Sequence, residues 1–275
     1  MSFFRILPLN RKRIFINVNN GKSFSDNPKA IFDYLQENGY GYRFVVTSQH
    51  KRSNSYNGTV VYVRYMSPKY LFYISTSKYW IANINLYSGI KKRKEQIYLQ
   101  TWHGTPLKHI EKDILNKNQA SEKREWSRDA NQWDYFISNG AISNINYQTA
   151  FGINKSQILD FGLPRNDNLK NNTAKRKLFN EKYNIGDRKI LLYAPTYRDT
   201  GEFIKFNFKE FEIKLGKKYF LIVNFHRLYP KNNYANSRNV LFNSILSTEE
   251  CMEISDILIT DYSSVFLITL CLLSR

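Results

Sequence analysis

Short apolar runs alternate along this chain with longer stretches whose apolar positions recur at helical spacing. Arg13–Val18 (RIFINV), Arg43–Thr47 (RFVVT), Thr59–Tyr65 (TVVYVRY), Tyr79–Ile84 and Gln96–Gln100 read as strands. Asp26-Asn27-Pro28 opens a helix closed by Gly39, and Ser67-Pro68 opens another through SPKYLFYISTSK. Trp133–Ser138 (WDYFIS), a helix over Ala141–Phe151 and a strand at Gln157–Phe161 follow. Strands separated by helices of this length imply right-handed crossovers and a parallel sheet.

Between residues 165 and 187 the chain turns polar, with a helix expected in the second half of that stretch. A second series then begins with strands at Lys189–Tyr193 and Tyr219–Val223. A helix follows over Ser247–Ser255, capped by Ser247 or Thr248, and then a strand at Asp256–Thr260. The expected architecture is α/β, with two successive parallel-sheet units covering residues 1–170 and 171–275.

In open parallel sheets, ligands bind outside the carboxyl ends of the strands. Five polar clusters fall at such ends: His103–Thr105, Arg165, Thr196–Arg198, His226-Arg227 and Thr260–Ser264. They hold two of the four histidines, three arginines and several hydroxyls, but few carboxylates. That chemistry suits a phosphate or pyrophosphate.

Each cluster also has a plainer reading. Gly104 leaves the backbone open beside His103, and Thr105-Pro106 can start a helix whose amides attract an anion. A neutral His103 imidazole could then act as general base on a hydroxyl, or serve only as a hydrogen-bonded strand end. His226-Arg227 could hold a phosphate and stabilise leaving-group charge, or be a surface dipeptide. Thr260-Asp261-Tyr262-Ser263-Ser264 could form an anion cradle, although alone it reads first as a helix cap. Arg165 and Arg198 could each clamp a phosphate oxygen. Asp199 is assigned no chemistry, and Tyr70, Phe72 and Tyr73 read as helix packing rather than a base-stacking platform.

The net charge of +18 over 275 residues calls for an anionic partner: nucleic acid, membrane surface or substrate. Lysines and arginines are spread along the chain, with short clusters at Arg11–Arg13, Lys91–Lys94 and Lys175–Lys177 that read as solvated faces. No recognisable nucleic-acid module is present. With 42% hydrophobic residues, 20 Tyr and 19 Phe, the sequence is one that folds. Cys251 and Cys271 lack metal-type spacing, which fits a reducing cytosol. The amino terminus lacks a cleavage signal, and the run Val265–Leu273 is about half the roughly 20 residues of a spanning helix.

Taken together, WHGTPLK (102–108), GLPRND (162–167), YAPTYR (193–198), NFHRLYP (224–230) and ITDYSSVF (259–266) resemble the CDP-glycerol glycerophosphotransferase family. This family comprises teichoic acid primases and polymerases and related capsule enzymes. The resemblance runs from about residue 10 to 266 in the family's order and spacing. It implies two Rossmann-like domains facing across a cleft (GT-B type), with the acceptor side in the first and CDP-glycerol in the second. The implied reaction moves glycerol phosphate from CDP-glycerol to a hydroxyl of a lipid-linked glycerophosphate or polysaccharide acceptor, releasing CMP. The implied location is peripheral, on the cytoplasmic face of the plasma membrane, with the anionic membrane surface as a partner. By motif, His103 is the expected catalytic base and His226 its partner on the leaving phosphates. Gly104, Thr105, Pro106, Arg165, Pro195, Thr196, Arg198, Arg227, Ser247, Thr248, Thr260, Asp261, Tyr262, Ser263 and Ser264 are the expected substrate-binding residues. No metal ligands and no cofactor are assigned, and a divalent metal is left open.

The family pattern after DYSSVF brings an Asp and then a further strand and helix, whereas this chain reads LITLCLLSR. The expectation is therefore an incomplete second domain, marginally stable and at risk of inactivity. The alternatives are a nucleotide-sugar glycosyltransferase, with Glu249 or Glu250 on the ribose, an inactive remnant, or a basic membrane- or nucleic-acid-binding protein.

Overall fold

The computed structural model describes residues 2–49, 59–106, 109–114, 127–168, 173–196, 206–225 and 234–261. The chain divides into two compact units, residues 1–168 and 169–275. No described helix is long and apolar enough to cross a membrane.

The first unit holds strands β1 (Asn10–Asn17), β2 (Arg43–Ser48), β3 (Val60–Arg64), β4 (Ser77–Ala82), β5 (Ile97–Gln100), β6 (Tyr135–Ser138) and β7 (Ile158–Asp160). They form one parallel sheet in the order β3-β2-β1-β4-β5-β6-β7. Helices α1 (Asp26–Glu37), α2 (Pro68–Thr76) and α3 (Ala141–Phe151) belong to this unit. Because both faces of such a sheet are covered, its strands are apolar on both sides. Phe15 packs with Tyr70, Trp80 and Tyr98 on one face, while Ile14 and Ile16 pack with Phe32 and Phe44 on the other.

The chain leaves β1 in one direction through β2 and β3, then returns to β4 on the other side of β1. The order therefore reverses between β1 and β4, which is where loops diverge and leave room for a ligand.

The second unit repeats this plan. Strands β8 (Lys189–Ala194), β9 (Tyr219–Val223), β10 (Val240–Phe242) and β11 (Ile257–Thr260) form a parallel sheet in the order β10-β9-β8-β11. Its helices are α4 (Thr173–Tyr183), α5 (Phe208–Leu215) and α6 (Thr248–Ile254). Ile190 and Leu192 face one apolar cluster, and Leu191 and Tyr193 face another. Here the order reverses between β8 and β11.

Several local expectations change. β4 starts at Ser77 rather than Tyr79 because α2 runs into it without a loop. The hydroxyls of Ser75, Thr76 and Ser77 donate to the carbonyls of Leu71, Phe72 and Tyr73 at 2.7, 2.9 and 2.7 Å, satisfying the last turn from within. No helix starts at Thr105-Pro106, which lie in a loop. The Thr105 hydroxyl is instead met by Nδ2 of Asn139 at 2.7 Å. Strand β10 is an element that the apolar pattern did not announce, and helix α5 is one that the expected elements did not include.

One buried polar group ties the first unit together. Oδ2 of Asp129 accepts from the Leu86 amide, the Tyr98 hydroxyl and the Trp133 indole, each at 3.0 Å. Burial pushes its carboxyl up to about 6 despite these donors. Burial likewise pushes Glu111 up to about 7, opposed by a hydrogen bond from Asn85 and assisted by the charge of Asp129. Folded chains thus keep protons that unfolded chains have lost, so these two groups make the fold less stable as pH rises through that window. Glu111→Gln removes one of them. The melting temperature of this variant is expected to fall less than that of the wild type between about pH 5 and pH 8. Equal slopes in thermal unfolding would contradict this.

Candidate active site

The first unit builds its site at the carboxyl ends of β1, β4, β5 and β7. β5 ends at Gln100, whose side chain turns the following backbone. Its Oε1 accepts from the Trp102 amide at 3.0 Å, and its Nε2 donates to the Ile84 carbonyl at 3.2 Å. Trp102 then adopts φ 51°, a left-handed conformation rare for a bulky residue. The kink sends the indole inward, against Phe151 with ring centres 4.7 Å apart, and leaves His103 exposed. Strain of this kind persists only where the surroundings over-determine it, and it clusters at functional sites.

The imidazole of His103 lies 4.3 Å from the Trp102 ring, and its Nδ1 is 2.8 Å from the Asn83 carbonyl oxygen. A carbonyl can only accept, so the ring proton belongs on Nδ1 and the basic lone pair on Nε2. This is the tautomer a general base requires. The buried Tyr147 hydroxyl fixes the next peptide by donating to the Gly104 carbonyl at 2.8 Å.

Arg165 arrives from the loop after β7. Its Nη1 donates to Oδ1 of Asp26 at 2.8 Å and to the His103 carbonyl at 3.1 Å. The Arg165 and Asp26 side chains are only 10% and 11% exposed, so this ion pair is largely removed from water. Arg165 therefore meets His103, but its cation faces a carboxylate.

Three residues that the sequence reading did not single out for chemistry organise this edge. Asp26 also accepts at Oδ2 from Nδ2 of Asn83 at 2.9 Å. Oδ1 of Asn83 accepts from the Asn19 amide at 3.0 Å, joining the loops after β1 and β4 at the reversal point. Asn27, fully buried, donates to the Thr101 and Trp102 carbonyls at 3.3 Å each and accepts from the Arg165 amide at 3.2 Å. Asp26 sits at φ 66°, and its carboxylate serves Arg165 and Asn83 rather than capping α1. A helix-start acid with a distant arginine was the signal available, but nothing in the sequence joins the two.

The second unit presents its polar residues at the corresponding edge. Oδ1 of Asp261 accepts from the Thr196 amide at 2.7 Å and also from the Thr196 hydroxyl, which bridges the ends of β8 and β11. Pro195 lies between β8 and this contact, and the Thr260 hydroxyl donates to the Ala194 carbonyl at 2.6 Å. Ser247 caps α6 reciprocally with Glu250: its hydroxyl accepts from the Glu250 amide at 3.1 Å, and its own amide donates to the Glu250 carboxylate at 2.9 Å. Thr248 is drawn to the same edge by Asn224, whose Nδ2 donates to its hydroxyl at 3.0 Å. Asn224 and Asn243, bonded at 2.9 Å, are further organisers that the sequence reading missed.

Burial alone would raise the Glu250 carboxyl, but the Ser247 amide and the Lys175 ammonium outweigh it and hold it below its ordinary range. That acid is committed within its own helix turn. Arg198, His226, Arg227, Tyr262, Ser263 and Ser264 lie outside the described residues. Among the described residues no cluster of three His, Cys, Asp or Glu side chains could hold a metal ion.

The sequence profile of the CDP-glycerol:poly(glycerophosphate) glycerophosphotransferases matches residues 1–267. The chain belongs to that family. A teichoic acid poly(glycerol phosphate) polymerase from Bacillus spizizenii is 36% identical over 95% of this chain and 72% of its own length. A polymerase of the same description from Bacillus subtilis is 34% identical over 94% of this chain, which spans 37% of that relative. The solved structure of the wall teichoic acid polymerase TagF superposes with a TM-score of 0.87 at 29% identity, over 98% of this chain and 71% of that one. A UDP-GlcNAc 2-epimerase from Neisseria meningitidis shares the fold alone, with TM-score 0.56 and 12% identity over 92% of this chain and 78% of its own. The chain is thus an enzyme of the glycerophosphotransferase class, and the α/β architecture with parallel sheets expected from its sequence holds in each unit.

Proposed function

We propose that this chain moves glycerol phosphate from CDP-glycerol to the terminal hydroxyl of a lipid-linked polyglycerophosphate, working at an anionic membrane surface. The observation that supports it most is the exposed His103 imidazole, anchored through Nδ1 at the reversal point of the first sheet. Its Nε2 takes the proton of the acceptor hydroxyl as that oxygen attacks the glycerol-bearing phosphorus. The bond from this phosphorus to the bridging oxygen breaks, a phosphodiester forms, and CMP leaves with the electron pair.

The first unit supplies the base, positioned by Arg165, Asn27 and Asn83. In the second, Thr196, Asp261, Thr248 and Ser247 shape the edge that receives the nucleotide, with His226 and Arg227 on the leaving phosphates. Little covalent chemistry falls to the protein in such a transfer, so placement and charge dominate. The charge of +18 favours anionic donor, polymer and bilayer alike.

The test is CMP release by purified chain given CDP-glycerol and a short glycerophosphate acceptor on a lipid. Release with CDP-glycerol, and little with CDP-ribitol or a UDP-sugar, is expected. Turnover of a UDP-sugar instead, or no CMP from a chain that binds donor, would overturn the reading.

A further inference from the structure

The opposite edge of the second sheet carries a concentration of charge that the transfer reaction does not use. Asp187-Arg188-Lys189 lead into β8 and Lys217-Lys218-Tyr219 into β9. These six residues line a shallow cavity of about 470 Å³. Lys189 pairs in register with Tyr219, and its amide donates to the Lys218 carbonyl at 3.1 Å, so the two strand starts lie side by side. Arg238 lies just before β10, the next strand in the sheet. Five cations therefore cross three neighbouring strand starts, which are about 4.8 Å apart. They sit about 17 Å along β8 from the edge that carries Thr196.

Three other cations of this unit are paired. Lys175 meets Glu250 and Glu253, Arg176 meets Asp256 at 2.7 Å, and Lys214 meets Glu210 at 2.6 Å. Arg188, Lys189, Lys217, Lys218 and Arg238 form no ion pair among the described residues, and Asp187 is the one acid lining the cavity. Lys189 also feels Asp256, but that carboxylate is already bound to Arg176.

The rim is built rather than loose. Nε of Arg188 donates to the Ile185 carbonyl at 2.6 Å, one Nη donates to the Asn184 carbonyl at 2.5 Å and the other to the Asn239 side chain. Asn239 presses so close to Gly216 that a Cβ there would lie 2.5 Å from its Nδ2. Burial, and then the charge of Arg238, hold the Arg188 guanidinium below its ordinary range. Like charges fixed together with a single acid beside them are stabilised by a bound anion.

From this row of cations we infer a second binding site, for a chain of repeated phosphodiesters: the polyglycerophosphate product itself, held away from the reacting end. The choice of ligand rests on the proposed function. A single phosphate would neutralise one or two of the five charges, whereas a linear polyanion reaches all of them. A bilayer fits less well, because a surface that inserts into lipid sets exposed apolar side chains beside its cations, and the one aromatic residue of this lining, Tyr219, is partly buried against the core.

The experiment uses the full chain and a fluorescent glycerophosphate oligomer of defined length, followed by anisotropy. The charge-reversed Lys189→Glu/Lys217→Glu/Lys218→Glu variant should bind it about tenfold more weakly or worse, with a shallower salt dependence. Affinity for CDP-glycerol should not change, and affinity for anionic vesicles should fall less than affinity for the oligomer. The milder Lys217→Ala/Lys218→Ala variant, both positions exposed, should show a smaller loss in the same direction and guards against misfolding. Unchanged oligomer affinity, or loss of vesicle binding with oligomer binding intact, would overturn the site. Wild-type chain that binds the oligomer without releasing CMP would count against the transferase reading and still support the site.

Discussion

His103→Ala is expected to lower CMP release from CDP-glycerol by about a thousandfold, within the range that general-base catalysis usually contributes. The affinity for CDP-glycerol should stay close to that of the wild type, because the base acts on the acceptor and not on the nucleotide. The competing role for this residue is structural, as an imidazole closing a strand end. That role predicts a different pattern, since a hydrogen bond such as the one to the Asn83 carbonyl contributes about 1 kcal/mol. A structural histidine would thus move the melting temperature and spare turnover. A catalytic one does the reverse. Single-turnover CMP release and thermal unfolding on the same preparations separate the two. Wild-type turnover by the variant would end the case for His103 as base, whatever its stability.

The frame around that base was legible where burial dictates sequence. Ile14-Phe15-Ile16, Phe44-Val45-Val46 and Leu191-Leu192-Tyr193 are apolar at consecutive positions because both faces of each sheet are covered. Helix α3 was readable to the residue, ending at Gly152, which takes the left-handed φ of 69° that a helix terminus favours. Strand β10 was not, since three residues after a polar stretch carry no periodicity. Helix α5 carried signals that were passed over: Asn207 accepts from the Glu210 amide at 3.1 Å, with Phe208, Phe211 and Leu215 on a helical repeat.

The site divides in the same way. His103, Arg165, Thr196 and Asp261 could be proposed because strand ends in a parallel sheet are where polar residues gather. The left-handed turn at Trp102 was hidden, because no tryptophan suggests that conformation. So were the organisers of His103. Asp26 and Arg165 are 139 positions apart, and Asn83 acts through a backbone carbonyl as well as its amide. Contacts of that kind belong to topology, which brings the ends of β1, β4, β5 and β7 to one edge, and not to any local motif.

Asp26 is where this hidden layer predicts the second large effect. Asp26→Asn removes one charge of a pair whose partners are about nine-tenths shielded from water, and it should cost about 3 kcal/mol of stability, read from the urea midpoint. Asparagine is the informative replacement because it tolerates the φ of 66° at this position, where alanine would add backbone strain of its own. The loss arises from the Arg165 guanidinium left buried without a counter-charge. Asp26→Asn combined with Arg165→Met should therefore recover much of the stability. Turnover should not recover with it. Arg165 donates to the His103 carbonyl, and Asn83, bonded to Asp26, carries the oxygen that anchors the imidazole, so both variants loosen the base by a fraction of an ångström. A drop in kcat of at least about tenfold, shared by the single and double variants at unchanged donor affinity, is the expected signature. If kcat returned together with stability in the double variant, Asp26 and Arg165 would be supports of the fold alone, with no part in placing the base.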